Sequence, residues 1–178
     1  MSRRQITALG EIMQLAYVPG DFDAALQYWT GTMGVGPFFM LEHVGLENTK
    51  YRGVPTQIDF SIAIGYWNDL QIELIRQHNL APSIYTTWRD EGHEGLHHVC
   101  ILVEDMVEAR AAVAQADGHV VQEARLPGGG EVIYVDTGGG PGTMVEILKP
   151  APGGREAFAM MRAAARNWDG RDPVRRLG

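Results

Sequence analysis

The apolar positions of this chain come in two matching sets. The segment Gln14-Leu-Ala-Tyr-Val-Pro-Gly-Asp21-Phe-Asp-Ala-Ala25 can be laid without a gap on His98-Val-Cys-Ile-Leu-Val-Glu-Asp105-Met-Val-Glu-Ala109. Each copy is a short apolar run that ends at an aspartate, whose carboxylate can accept the free amide protons of a helix's first turn. Each therefore predicts strand, cap and helix. After Asp21, residues Phe22, Ala25, Leu26 and Trp29 recur at helical spacing, and after Asp105 so do Met106, Ala109, Ala112, Val113 and Ala116. Gly34-Val-Gly-Pro37 and Asp117-Gly118 stop the two helices, because glycine tolerates the backbone angles of a helix end and proline cannot continue one.

Strand-like stretches follow each helix. They cover residues 38–44, 57–66 and 70–76 in the first half, and 119–126, 132–136 and 144–149 in the second. The glycine clusters at 127–130 and 138–142 read as turns, since neither opens a helix and no Gly-Lys-Ser/Thr follows. The predicted class is α+β: two tandem βαβββ modules forming a cupped mixed sheet, plus a C-terminal helix. Residues 10–77 form the first module, 78–95 a linker, 96–150 the second module, and 151–178 a helix and tail. The helix, expected over about 155–168, puts Phe158, Met161, Ala165 and Trp168 on one stripe that needs cover from its own domain or from a partner chain.

Composition narrows the function. At 178 residues with 45% hydrophobic content the chain can enclose a core. A formal charge of -7 disfavours nucleic acid, and no stretch approaches the roughly 20 apolar residues needed to span a bilayer. The lone Cys100 cannot form an internal disulfide, and the opening Met-Ser-Arg-Arg-Gln-Ile lacks the apolar run of a secretory signal. A cytoplasmic protein acting on a small molecule is expected. Arg162, Arg166, Arg171, Arg175 and Arg176 make the tail basic. Their default reading is a solvated helix face and frayed end, with anionic substrate binding as the alternative.

Four polar residues sit among apolar neighbours at matched places. Gln14 and His98 share a position on the first strand of each half, and Glu73 and Glu146 share one on the last. Strand alternation gives each an apolar face. A buried carboxylate costs several kcal/mol unless it is paired, protonated or bound to a cation. Two carboxylates, one imidazole and one amide oxygen converging would neutralise a divalent ion and leave room for water or substrate. Alternation sends His97 to the opposite face, so it is left out of this set.

With Gly95-Leu-His-His-Val99 and Val145-Glu-Ile-Leu-Lys-Pro150, this duplication resembles the vicinal-oxygen-chelate superfamily over residues 10 to 150, the group containing glyoxalase I, methylmalonyl-CoA epimerase and the extradiol dioxygenases. The resemblance implies that Gln14, Glu73, His98 and Glu146 ligate one divalent ion, with Zn, Ni, Co, Mn, Mg and Fe not distinguished. It also implies a homodimer, as paired modules of this superfamily commonly complete their sites across an interface. The ligand set is similar to that of eukaryotic glyoxalase I. The arginines that hold glutathione there are replaced by Val18 and Glu94. Epimerases of the family carry His and Gln where this chain has Gln14 and Glu73, and extradiol dioxygenases use two histidines and one carboxylate.

The resulting expectation is metal-dependent proton transfer next to a carbonyl, an epimerisation or isomerisation, on a small and fairly hydrophobic substrate. Glu146 is the first choice of base and Glu73 its counterpart. The alternatives are a lactoylglutathione lyase, an extradiol-type dioxygenase and a non-catalytic drug-sequestering protein. Glu42, His43 and Glu47 are near enough in sequence to a strand end to reach the same pocket, although an exposed loop is their default. Phe39, Tyr66, Trp67, Tyr85, Trp88 and Tyr134 are available to line it.

Overall fold

The two aspartates cap their helices with the same geometry. Asp21 has φ −120°, ψ 108° and accepts from the Ala24 amide, ahead of α1 (Phe22–Gln27). Asp105 has φ −122°, ψ 108° and accepts from Val107 and Glu108, ahead of α3 (Met106–Gln115). The sequence repeat is thus a structural repeat down to the backbone angles. The computed structural model describes residues 5–177; Met1 to Arg4, part of the opening read above for a secretory signal, and Gly178 lie outside them.

The first repeat contains β1 (Ile12–Val18), α1, a π-helical turn (Tyr28–Thr32), β2 (Phe38–Leu41), β5 (Phe60–Trp67) and β6 (Leu70–Gln77). Between β2 and β5 lies an additional hairpin, β3 (Glu47–Tyr51) and β4 (Val54–Pro55). The second contains β7 (Gly95–Leu102), α3, β8 (His119–Leu126), β9 (Gly130–Asp136) and β10 (Met144–Lys149). Helix α2 (Ile84–Asp90) lies between the repeats, and α4 (Gly154–Arg166) and β11 (Val174–Arg176) end the chain.

All strands join one mixed sheet in the order β11-β2-β5-β6-β1-β7-β10-β9-β8-β3-β4. Within each repeat the first strand is parallel to the last, β1 to β6 and β7 to β10, and the repeats meet through antiparallel β1 and β7. The sheet must curl. Strands β2 and β3 stand eight positions apart in it, which would be about 38 Å if it were flat. The chain between Leu41 and Glu47 reaches only about 20 Å. Pairing of β3 with β8, with Lys50 opposite Glu123, is therefore possible only in a cup.

The convex face is covered by α1, whose Phe22 and Leu26 pack on Phe38, Met40, Ile72 and Leu74, and by α3, whose Met106, Ala109 and Val113 pack on Ile133, Val135 and Ile147. The concave face receives α2 and α4. Ile84, Tyr85 and Trp88 of α2 pack beside Phe60, Ile75 and Tyr134. Met161 of α4 is 2% exposed against Phe39, Ile64 and Tyr66, with Phe158 and Ala165 alongside. The apolar stripe of the C-terminal helix is thus covered by the chain's own β2 and β5, which removes the need for a second copy to cover it. Trp168 joins it by packing where Gly36 has no side chain; a Cβ there would lie 2.7 Å from the indole.

Several elements differ from expectation. The expected linker carries α2, started by a capping box in which the Ser83 side chain accepts from the Thr86 amide and the Thr86 hydroxyl accepts from the Ser83 amide. The expected 38–44 strand stops at Leu41, and the polar stretch after it forms β3. No helix of the described residues is long and apolar enough to cross a membrane. Met161→Ala should lower unfolding free energy by about 2–5 kcal/mol, the usual cost of emptying a buried methionine site. Chemical denaturation measures it, and an unchanged midpoint would show that α4 does not depend on this contact.

Candidate metal centre

The four strands at the centre of the sheet, β6-β1-β7-β10, bring the sequence-selected residues together. Ala16 of β1 stands opposite Glu73 on one side and His98 on the other. Cys100 stands between Gln14 of β1 and Glu146 of β10. All project into the cup. His98 Nε2 lies 2.9 Å from Glu146 Oε2 and 3.9 Å from Glu73 Oε2, and the three ligand atoms fall within 4.8 Å of one another. His98 is fully buried; Gln14, Glu146 and Glu73 are nearly so, at 4%, 7% and 8% exposure.

Gln14 is held by a relay of amides. Its Nε2 donates to Gln71 Oε1 at 2.5 Å, and Gln71 Nε2 donates to the Tyr66 hydroxyl at 2.7 Å. That relay leaves Gln14 Oε1 as a buried acceptor with no hydrogen-bond partner. Such an atom is costly unless a cation or an unseen donor meets it.

His97 corrects the alternation argument. Leu96 pairs with Tyr17 and His98 with Ala16, so His97 is the extra residue of a β-bulge. Its ring stays in the cup, against Tyr85 and Trp88, with its Nδ1 2.9 Å from His98 Nδ1. Burial, and then the neighbouring His98, push its pKa down to about 3, opposed by a hydrogen bond to the Ile84 backbone. His97 is therefore neutral, with one ring proton. A metal at His98 Nε2 needs a lone pair there, and the tautomer in which His98 Nδ1–H donates to His97 Nδ1 supplies it, facing two carboxyl groups.

A lone pair and two carboxylates repel unless a cation lies among them. Burial and the nearby Glu146 raise the Glu73 carboxyl well above its ordinary value of 4.5, so in the absence of metal a proton fills that role. The donor set suits a divalent ion as well: one imidazole nitrogen prepared by its outer partner, two carboxylate oxygens and the orphaned amide oxygen of Gln14. Tyr85 and Tyr134 close the site as neutral phenols, since burial and the two glutamates push both well up. Tyr85 donates to the Tyr134 hydroxyl at 3.2 Å, and the Tyr134 ring meets His98 edge-on. Cys100 is equally buried, and burial with Glu146 and Glu73 pushes its thiol up, which disfavours the thiolate a metal would need.

Other candidates lie elsewhere. Glu42 pairs with Arg176, His43 with Asp59, and Glu47 begins β3 opposite Arg125. Arg162 and Arg166 approach Asp69, and Arg171 approaches Asp169, so much of the basic tail is matched by the chain's own acids. Trp67 is exposed at the β5–β6 turn, while Phe39, Tyr66, Tyr85, Trp88 and Tyr134 are buried. A cavity of about 410 Å³, lined among others by Ile84, Trp88, Val121, Arg52 and Tyr51, adjoins the site at His97 and Met144. Sequence reasoning missed His97, and also Gln71, whose signal was its two-residue spacing from Glu73 on one strand face.

Glu73 also sets a pH dependence. Its folded pKa lies above 4.5, so the folded metal-free protein keeps a proton that the unfolded chain releases. Stability of the metal-free protein should be greatest below about pH 4.5 as far as this group is concerned, and fall as pH rises toward the folded value. Glu73→Gln should flatten that decline, and saturating divalent metal should reverse it in the wild type. Thermal unfolding across pH 5 to 8 tests this; identical slopes in wild type and Glu73→Gln would contradict it.

Comparison with known proteins agrees with this architecture. A family model described as the Glyoxalase/Bleomycin resistance protein/Dioxygenase superfamily matches residues 13–135. Among solved structures, methylmalonyl-CoA epimerase of Streptomyces coelicolor, a variant in complex with 2-nitronate-propionyl-CoA, is similar with TM-score 0.56 and 18% identity over 80% of this chain and 96% of that one. Methylmalonyl-CoA epimerase from Mycobacterium tuberculosis gives TM-score 0.55 and 15% identity over 85% and 94%. A hypothetical protein from Bacillus halodurans gives 0.56 and 17% over 79% and 94%. At such identities the likeness is one of fold. No curated protein matches the sequence. With a family model covering most of its length and a duplicated fold to match, this chain belongs to the glyoxalase, bleomycin resistance and dioxygenase superfamily.

Proposed function

We propose that this protein is a metal-dependent enzyme that moves a proton next to a carbonyl group, producing an epimer or an isomer of a small, fairly hydrophobic substrate. One observation carries the reading: two buried carboxyl groups, Glu73 and Glu146, approach a single imidazole from matching strands. A divalent ion held by Gln14, Glu73, His98 and Glu146 would supply Lewis acidity, stabilising negative charge on a substrate oxygen.

The chain's own groups do the rest. Glu146 is the base that takes the proton from carbon, and the same carboxyl returns it to the adjacent carbon for an isomer. For an epimer Glu73, loosened from the ion and protonated, delivers one to the other face, and Glu146 keeps the proton it took. His97 holds His98 in one tautomer. Tyr134 remains a phenol and can donate to a substrate oxygen. The burial of all these groups keeps bulk water from competing for the proton.

Two features oppose the alternatives. Val18 and Glu94 stand where the family resemblance calls for the arginines that hold glutathione, so a glutathione anion would meet an apolar group and an acid. The triad holds one imidazole, whereas ring-cleaving iron sites use two histidines. The fold likeness to methylmalonyl-CoA epimerases supports proton transfer without fixing the substrate.

The test is exchange in heavy water. Metal-loaded protein is incubated with carbonyl compounds bearing an acidic α-hydrogen, and deuterium uptake is followed by NMR. Wild type should exchange, Glu146→Gln should be slower by about a hundredfold or more, and His98→Ala should lose both the metal and the exchange. Glu146→Gln that retains metal and full turnover would move the base elsewhere. Oxygen uptake with a catechol, or turnover of the methylglyoxal-glutathione adduct without other exchange, would overturn the reaction class.

A further inference from the structure

A second group of ligating side chains lies away from the buried triad. His43 follows β2, Asp59 precedes β5 and His78 follows β6, and these three strands are neighbours with β5 antiparallel to both others. The sheet therefore gathers the three residues at one edge, although they are far apart in sequence. One ring nitrogen of each histidine and one oxygen of Asp59 lie within 4.8 Å of one another. His78 stands five residues along β6 from Glu73, about 17 Å away. The two clusters are separate sites.

The side chains are held in place by more than their mutual contact. His43 Nδ1 lies 2.7 Å from Asp59 Oδ1, and the rings of His43 and His78 lie 4.8 Å apart with 33° between their planes. Ser61, 1% exposed, is a buried anchor beneath them: its Oγ accepts from the His43 amide at 3.1 Å and meets His78 Nε2 at 2.7 Å. The His78 amide donates to the Asp59 carbonyl, and the Asn79 side chain accepts from the Asp59 amide and donates to the Gln57 carbonyl. His43 itself sits at φ 52°, in the left-handed region that histidine, asparagine and aspartate enter more readily than other side chains. A buried hydroxyl and an amide clamp together hold the three ligating groups near one another on the surface.

We propose that His43, Asp59 and His78 form a second, surface metal site for a borderline divalent transition ion such as Zn²⁺, Ni²⁺ or Cu²⁺. Two imidazole nitrogens and a carboxylate oxygen are the donor set such ions prefer over Mg²⁺ or Ca²⁺. Ser61 Oγ meets His78 Nε2 and fixes that ring, so His78 would ligate through Nδ1 with Ser61 as its outer partner. With only three protein ligands, the site keeps positions for water or an exogenous ligand. His43 and Asp59 also line a surface cleft of about 690 Å³, from which such a ligand would approach. Neither the triad nor the reaction proposed above is needed for this assignment.

Zn²⁺ is the probe, followed by calorimetric titration and by elemental analysis after equilibrium dialysis. His98→Ala, lacking the buried site, should still bind one equivalent, and the double variant His98→Ala with His78→Ala should bind none. In the wild-type background His43→Asn, which suits the left-handed backbone, and His78→Ala should each remove one equivalent while circular dichroism stays unchanged. Ser61→Ala should weaken the surface equivalent by about tenfold or more. Substoichiometric Cu²⁺ should broaden the ring signals of His43 and His78. Zn²⁺ stoichiometry and affinity unchanged in His43→Asn and His78→Ala, or Cu²⁺ broadening that spares both rings, would overturn the proposal.

Discussion

Two carboxyl groups and an imidazole lone pair cannot share a buried space without a positive charge among them. An unpaired buried ion costs several kcal/mol even after relaxation, and here Glu73, Glu146 and the acceptor nitrogen of His98 occupy one pocket. That constraint organises the surrounding chemistry. It raises Glu73, keeps the Tyr85 and Tyr134 phenols and the Cys100 thiol in their neutral forms, and makes the orphaned oxygen of Gln14 useful rather than merely expensive. A proton relieves the crowding at low pH, and a divalent ion relieves it more fully.

The fold exists around this pocket in a specific sense. Pairing β1 with β7 puts the two repeats edge to edge, and the parallel pairings to β6 and β10 place the glutamates on the strands immediately flanking them. The short passage from β2 to β3 then forces the curl that turns a flat row of side chains into a converging set. Helices α2 and α4 pack into the concave side, and the candidate ligands Glu73, His98 and Glu146 converge within one chain. Dry surroundings strengthen each electrostatic interaction inside, which links the packing of Met161, Phe158 and Tyr85 to the behaviour of the carboxyl groups.

Much of this was legible from residues. Asp21 and Asp105 announced the repeat because capping is local chemistry, and Gln14, Glu73, His98 and Glu146 stood out because strand alternation makes a polar residue on an apolar face conspicuous. What failed has physical causes. His97 escaped because a bulge breaks the alternation that was used to exclude it. Strand β3, Glu-Asn-Thr-Lys-Tyr, has no apolar period, and its place is set by distant β8 rather than by its own sequence. Helix α2 is seven residues long, too short for periodicity to show. His43 was expected in an exposed loop, where it lies, but its companions were not foreseen, since only strand order reveals Asp59 and His78 beside it.

The central claim is that the pocket among Glu73, His98 and Glu146 holds a divalent ion rather than a shared proton alone. Anomalous diffraction from crystals of the His78→Ala variant equilibrated with Zn²⁺, recorded at the zinc absorption edge, addresses it directly. The account predicts one strong peak about 2.0–2.2 Å from His98 Nε2 and from oxygens of Glu146 and Glu73, with Gln14 Oε1 turned toward it. A pocket without anomalous density at saturating Zn²⁺, with His98 Nε2 still 2.9 Å from Glu146 Oε2, would contradict it.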